Sequence, residues 1–110
     1  MDTVDSAIES RALAAVKVLS RFGPVRAAYL FGSHVDGTAD EWSDIDVAVF
    51  MEEVEHWDIH ERAAAMALVM REVGSDVEAH LFSVSSLGKP PRGGFAQYIL
   101  QHGIRVFEQS

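Results

Sequence analysis

The chain has 110 residues, no cysteine, and a formal charge of −8 from 17 acidic and 9 basic side chains. This length predicts one domain over residues 1–110. The lack of cysteine excludes disulfides and thiolate metal sites, and the scattered Lys and Arg side chains argue against direct nucleic-acid binding. No apolar run is long enough for a membrane span, and the acidic start, residues 1–5, is unlike a secretory signal. We therefore expect a cytoplasmic protein that neither spans nor binds a membrane.

Hydrophobic spacing predicts alternating helices and strands. Ser6 and Glu9 have the spacing of a capping box at the start of the first helix. The predicted elements are, in chain order, a helix (5–21), a strand (25–31), a helical turn (33–38), a strand (45–50), a helix (57–73), a strand (77–82), a helix (95–102) and a strand or packed tail (104–107). This order predicts an α/β fold, α+β in some schemes, with a small mixed sheet and helices packed on one face.

Two carboxylates, Asp44 and Asp46, stand at the start of the second predicted strand. Because side chains alternate along a strand, both are expected to project from the same face, with Cα atoms roughly 6.6 Å apart. At that spacing they can hold one divalent cation or two adjacent ones. Mg²⁺ prefers hard oxygen ligands and bridges to substrate phosphates, so this pair predicts a magnesium site.

Glu78, on the third predicted strand, is the best candidate for a third carboxylate, provided that this strand pairs beside the second. Asp76 is the alternative, because a register read from sequence can be wrong by a residue or two. His80 shares a strand face with Glu78. It is either a partner that supports the site or an ordinary strand residue.

Gly32 and Ser33 lie between the first strand and a predicted helical turn. Free N–H groups at such a turn can hold phosphate oxygens, glycine allows close approach of the backbone, and the serine hydroxyl adds a donor. A Walker A loop is excluded, because no Gly-Lys-Ser/Thr follows. His34, in the same turn, either touches phosphate or faces solvent.

These motifs together carry a resemblance. Residues 30–33, Leu-Phe-Gly-Ser, followed by residues 43–49, Ser-Asp-Ile-Asp-Val-Ala-Val, resemble the signature of the polymerase-β-type nucleotidyltransferases. Nearly the whole chain is similar to the minimal nucleotidyltransferase group, the MNT proteins, whose members often act as antitoxin partners of HEPN toxins. The resemblance implies that Gly32 and Ser33 hold the triphosphate. It also implies that the catalytic, Mg²⁺-binding acids are Asp44, Asp46 and Glu78.

The resemblance further implies transfer of AMP from ATP to a hydroxyl, with release of pyrophosphate. Because a chain of this size has little room for an acceptor site, a HEPN-type partner or a homo-oligomer is expected to complete it. Two positions depart from the family pattern: Asp36 stands where many members have Arg, and Glu78 where Asp is usual. The alternatives are a catalytically weak antitoxin that binds its toxin, favoured by Asp36, and a regulatory nucleotide-binding module.

Overall fold

The computed structural model describes residues 5–40 and 42–109 of the chain. The acidic segment 1–4, which contributed to the expectation of no secretory signal, lies outside them. The described elements are, in chain order, α1 (Ser6–Leu19), β1 (Val25–Phe31), α2 (Ser33–Asp36), β2 (Ile45–Met51), a 3-10 turn (Val54–His56), α3 (Ile59–Glu72), β3 (Val77–Ser83), α4 (Ser85–Gly88), α5 (Phe95–His102) and β4 (Ile104–Glu108). None of the helices in these ranges combines the length and apolar character that crossing a bilayer requires.

The four strands form one sheet in the order β3-β2-β1-β4. β1 pairs antiparallel with both β2 and β4. β2 and β3 are parallel, which is possible because α3 carries the chain back across the sheet between them. The predicted mixed sheet is therefore confirmed, and the tail at residues 104–107 is an edge strand.

The two long helices, α1 and α3, pack on one face of the sheet, whereas the sequence predicted all helices on the same face. Their buried residues join alternate residues of β1 and β2 in the main core: Ala12, Ala15, Val16, Leu19, Ala65, Val69, Ala28, Leu30, Val47 and Val49. The short helix α5 packs on the opposite face. There, Ala96 and Ile99 of α5 form a second cluster with residues of β1 and β2: Ala27, Phe31, Ala48 and Phe50. β2 is apolar along most of its length because both of its faces are covered.

The helix starts differ from the predicted ones. α1 begins after Asp5, whose carboxylate accepts a hydrogen bond from the Ala7 backbone at 2.7 Å, so Asp5 rather than Ser6 is the N-cap. α3 begins at Ile59, two residues later than predicted, because Asp58 and Glu61 form a capping box there. In both cases a carboxylate satisfies N–H groups that a helix start leaves free.

Arg11 of α1 is tied to Asp76, in the turn before β3. Its guanidinium makes two hydrogen bonds to the Asp76 carboxylate, one of them at 2.8 Å. This pairing lowers the pKa of Asp76 below the ordinary value of 3.8. The ion pair therefore fastens the first helix to the strand that carries Glu78.

Replacing Arg11 with Gln should lower the free energy of unfolding at neutral pH. Because the folded-state pKa of Asp76 is depressed, the ion pair stabilises the folded protein fully at pH values above the unfolded-state pKa of aspartate, about 3.9. This stabilisation should be lost as the pH falls through the lowered pKa of Asp76 in the folded protein. Urea unfolding of both proteins at pH 7 and at a series of pH values below 4 measures this difference. The matched control is Arg21→Gln, which breaks an exposed pair with Glu72 and should cost less. A difference that persists unchanged at the lowest pH contradicts this account.

Candidate active site

Asp46 and Glu78 are direct neighbours on adjacent parallel strands. The Cα partner of Asp46 in β2 is Glu78 in β3, so their side chains leave the same face of the sheet. It is the face that carries α5. The Asp46 side chain is 25% exposed and the Glu78 side chain 51%. The condition under which the sequence placed Glu78 beside Asp46, that the two strands pair, is therefore met.

His80 completes a cluster with these two acids. Its Nε2 atom lies 3.3 Å from Oδ1 of Asp46 and 3.7 Å from Oε1 of Glu78. One ligand atom from each of the three side chains lies within 4.8 Å of the others, and within residues 5–40 and 42–109 no other three His, Cys, Asp or Glu residues meet this criterion. The sequence had left the role of His80 open. The structure places its ring against the acids.

Asp44 and Asp76 do not belong to this cluster. Asp44 is exposed and lies immediately before the first residue of β2, and its role as a cation ligand stays a prediction. Asp76 is paired with Arg11. Of the two candidates for the third carboxylate, Glu78 therefore lies next to Asp46, whereas the Asp76 carboxylate pairs with Arg11 of α1.

Gly32 lies directly against the Asp46 carboxylate. It ends β1 with φ 83° and ψ −153°, a conformation that glycine adopts without strain. A Cβ atom added at Gly32 would lie 2.7 Å from Oδ2 of Asp46. Its carbonyl accepts hydrogen bonds from the backbone N–H groups of Val35 and Asp36, at 3.0 and 3.1 Å. Glycine is therefore required here both for the turn and for the approach of the carboxylate.

The turn that follows Gly32 is short and is tied to the loop before β2. α2 begins at Ser33 and ends at Gly37, which has φ 84°, as the sequence predicted. Nε2 of His34 lies 3.3 Å from the carbonyl oxygen of Ser43. This contact holds the Gly-Ser turn near the segment that leads to Asp44, so His34 is not simply a solvent-facing residue.

A cleft of about 210 Å³ lies beside Gly32, between α2 and α5. Its lining residues are Phe31, Gly32, Val35, Asp36, Tyr98 and His102. Tyr98 and His102 are one helical turn apart on α5, and their ring centroids lie 4.7 Å apart. The sequence had not connected this helix with the site, although their i, i+4 spacing indicates a shared helix face. The cleft has aromatic and acidic walls and no Lys or Arg among its lining residues.

The donor set fits a divalent cation. Two carboxylates and an imidazole are all ligands found in divalent metal sites. Ligand atoms about 2.1 Å from one cation lie roughly 3.0 Å apart at right angles and roughly 3.4 Å apart in a tetrahedron. The 3.3 Å and 3.7 Å separations from His80 are close to these values.

The chain belongs to the polymerase β nucleotidyltransferase family. The family model described as "Polymerase beta, Nucleotidyltransferase" matches residues 14–110. This span includes the Gly-Ser turn, Asp44, Asp46 and the third strand. The assignment as a nucleotidyltransferase, made from the two motifs, is confirmed. No curated relative matches the sequence.

Solved structures similar to the chain share its fold. A candidate nucleotidyltransferase from Sulfolobus solfataricus has a TM-score of 0.65 at 16% identity, over 94% of this chain and 82% of that one. A toxin–antitoxin with AMP-PNP has a TM-score of 0.60 at 22% identity, over 93% and 74%. A tri-AMPylated Shewanella oneidensis HEPN toxin in complex with an MNT antitoxin scores 0.55 at 18% identity, over 93% and 73%. The likeness supports the fold class.

Proposed function

We propose that this protein transfers AMP from ATP to a hydroxyl group on a protein partner, as the antitoxin of a HEPN/MNT pair in the cytoplasm. The observation that carries the proposal is the pairing of Asp46 with Glu78 beside Gly32. In a family that transfers nucleotides, two carboxylates beside a Gly-Ser turn support a cation site next to a phosphate site. The solved neighbours include a toxin–antitoxin with AMP-PNP and a tri-AMPylated HEPN toxin, which is why we choose AMP and a HEPN-type acceptor.

The residues have the following roles in the proposal. Asp44, Asp46 and Glu78 hold Mg²⁺, which when bound neutralises charge on the phosphates. Gly32 and Ser33 hold the triphosphate. The acceptor oxygen attacks the α-phosphorus in line, the bond to the bridging oxygen of the β-phosphate breaks, and pyrophosphate leaves. Glu78, the most exposed acid of the cluster, takes the proton of the attacking hydroxyl.

The acceptor has an open approach to this site. Phe95 and Tyr98 of α5 are each 49% exposed. The ring of Phe95 packs against that of His80, with ring centroids 5.9 Å apart. A partner protein that covers these two rings would bring its hydroxyl next to the acid cluster. A homo-oligomer is the alternative source of the acceptor.

The test is incubation with ATP labelled on the α-phosphate, Mg²⁺ and the product of the neighbouring gene. Label on the partner supports transfer, because AMP retains the α-phosphate. A tight complex without label supports the second candidate, an antitoxin that acts by binding. The acidic wall that Asp36 contributes beside Gly32 favours this candidate, since it repels phosphate. Retained nucleotide with no partner bound supports a regulatory module.

Replacing Asp36 with Arg should tighten ATP binding. Asp36 lines the cleft beside Gly32, so the substitution replaces a repulsive charge with a donor to phosphate oxygens. We expect the dissociation constant for Mg²⁺–ATP, measured by calorimetry, to fall on the order of tenfold. Asp36→Asn is the matched control, because it removes the repulsion without adding a contact. If the Arg variant binds Mg²⁺–ATP no more tightly than the Asn variant does, the bound phosphates do not lie near residue 36.

A further inference from the structure

We propose that His80 is itself a ligand of the cation, so that the centre is a mixed nitrogen–oxygen site that binds Mn²⁺ more tightly than Mg²⁺. The inference rests on the proposed function, because it concerns the cation of the same site. It goes beyond that function in adding a ligand and changing the preferred metal. The argument depends on three features of His80: where its nitrogen points, what holds its ring, and which ions accept an imidazole.

The Nε2 atom of His80 faces two carboxylate oxygens at once, at 3.3 Å from Asp46 and 3.7 Å from Glu78. The contact with Asp46 is a long hydrogen bond, compared with the usual N–H···O distance of about 2.9 Å, and the contact with Glu78 is too long to be one. One N–H group cannot point well at both oxygens. A cation between the three atoms would be attracted to all of them, and the separations suit ligands that share one ion.

Its neighbours hold the imidazole ring in this orientation. The ring packs edge-on against Phe31, with centroids 5.0 Å apart, and against Phe95 at 5.9 Å. Its direct neighbour across the parallel strands is Ala48, whose small side chain leaves room for the ring. A ring held in place loses little conformational freedom when it binds an ion, which favours a ligand role.

The donor chemistry determines the ion. Mg²⁺ prefers an all-oxygen octahedron, whereas imidazole nitrogen suits first-row transition metals. Mn²⁺ accepts carboxylates as readily as Mg²⁺ does, and it tolerates a nitrogen ligand. A centre of Asp46, Glu78 and His80 is therefore expected to favour Mn²⁺, and removal of the nitrogen should remove most of that preference.

The experiment is pulsed electron spin resonance of Mn²⁺ added to the full-length protein, without nucleotide. A histidine nitrogen bound to Mn²⁺ modulates the spin echo at ¹⁴N frequencies, and protein labelled with ¹⁵N in its histidine rings should give the ¹⁵N pattern instead. This measurement needs no substitution and no activity. We expect the ¹⁴N modulation in the unlabelled protein.

Two variants assign the signal to one residue. His80→Phe keeps an aromatic ring between Phe31 and Phe95 but offers no ligand atom. His60→Phe makes the same exchange at an exposed position on α3. We expect His80→Phe to lose the nitrogen modulation and to bind Mn²⁺ on the order of tenfold more weakly, with a much smaller change for Mg²⁺. His60→Phe should behave as the parent protein.

The outcomes separate this inference from the proposed function. Mn²⁺ that binds without nitrogen modulation overturns the role of His80 and leaves a carboxylate centre intact. Nitrogen modulation that survives in His80→Phe also overturns it. If neither Mn²⁺ nor Mg²⁺ binds, alone or with ATP, the inference and the cation-dependent function are overturned together.

Discussion

Replacing Asp46 with Asn is expected to abolish nucleotidyl transfer while leaving the fold intact. Asn keeps the size of the side chain and removes its charge. Asp46 touches each part of the site: its carboxylate lies against Gly32 and next to the Nε2 atom of His80, and its strand partner is Glu78. Loss of that charge removes a cation ligand and with it the neutralisation of the phosphates. We expect the initial rate of AMP transfer to fall on the order of 1000-fold or more.

The control for this prediction is Glu9→Gln, which makes the same change of charge on the exposed surface of α1. It should leave the transfer rate unchanged. Circular dichroism melting should give nearly the same midpoint for both variants and the parent. If Asp46→Asn retains more than about a tenth of the parent rate with the fold intact, the proposed site is wrong, since loss of one oxyanion donor alone usually costs about 100-fold.

The same assay decides the role of Asp44. The resemblance assigns it to the cation, whereas the cluster that the structure describes contains Asp46, Glu78 and His80. If Asp44→Asn is as severe as Asp46→Asn, then Asp44 turns inward when the cation and nucleotide bind. If it retains most of the activity, the centre consists of the three clustered residues. Either result leaves the prediction for Asp46 unaffected.

Local sequence signals predicted several element boundaries correctly. β1 spans Val25–Phe31 as predicted, because Pro24 and Gly32 bound an apolar run. α5 spans Phe95–His102 as predicted, between two glycines. The predicted helix starts were less accurate. Asp5 and Ser6 are both good N-caps, and only the three-dimensional fold determines which of them caps the helix. A residue-level pattern therefore gives element type more reliably than element ends.

The site depended on information that local patterns lack. Alternation along β3 shows that Glu78 and His80 share a face, but not which strand lies beside them. The parallel pairing that sets Asp46 opposite Glu78 results from the crossover through α3, a contact between distant parts of the chain. The prediction that the helices share one face is wrong for α5, which packs on the other face, because its apolar residues could pack on either.

The aromatic surroundings of His80 follow from that placement of α5. Once the helix lies on the same face as the acids, the Phe95 ring reaches both His80 and Phe31. The cation site and the second core cluster therefore share a boundary. The family motif identifies the acidic residues of the site. It does not include the aromatic residues around them, which are known only from the packing of α5.

Replacing Gly32 with Ala is expected to impair both stability and transfer, and Gly37→Ala separates the two effects. Both glycines have positive φ, 83° and 84°, but their ψ angles differ. Gly37, with ψ 11°, lies in the left-handed helical region, where Ala should cost about 1–2 kcal/mol. Gly32, with ψ −153°, lies in a region almost restricted to glycine, so the backbone strain of Ala should be larger there. At Gly37 the added Cβ meets nothing within 4 Å, whereas at Gly32 it lies 2.7 Å from the Asp46 carboxylate. That contact must displace Asp46, so we expect transfer to fall on the order of 100-fold in Gly32→Ala and to change little in Gly37→Ala. Urea unfolding should show both variants destabilised, with the larger loss at Gly32. Equal loss of activity in the two variants would mean that turn strain, rather than the position of the carboxylate, limits the reaction.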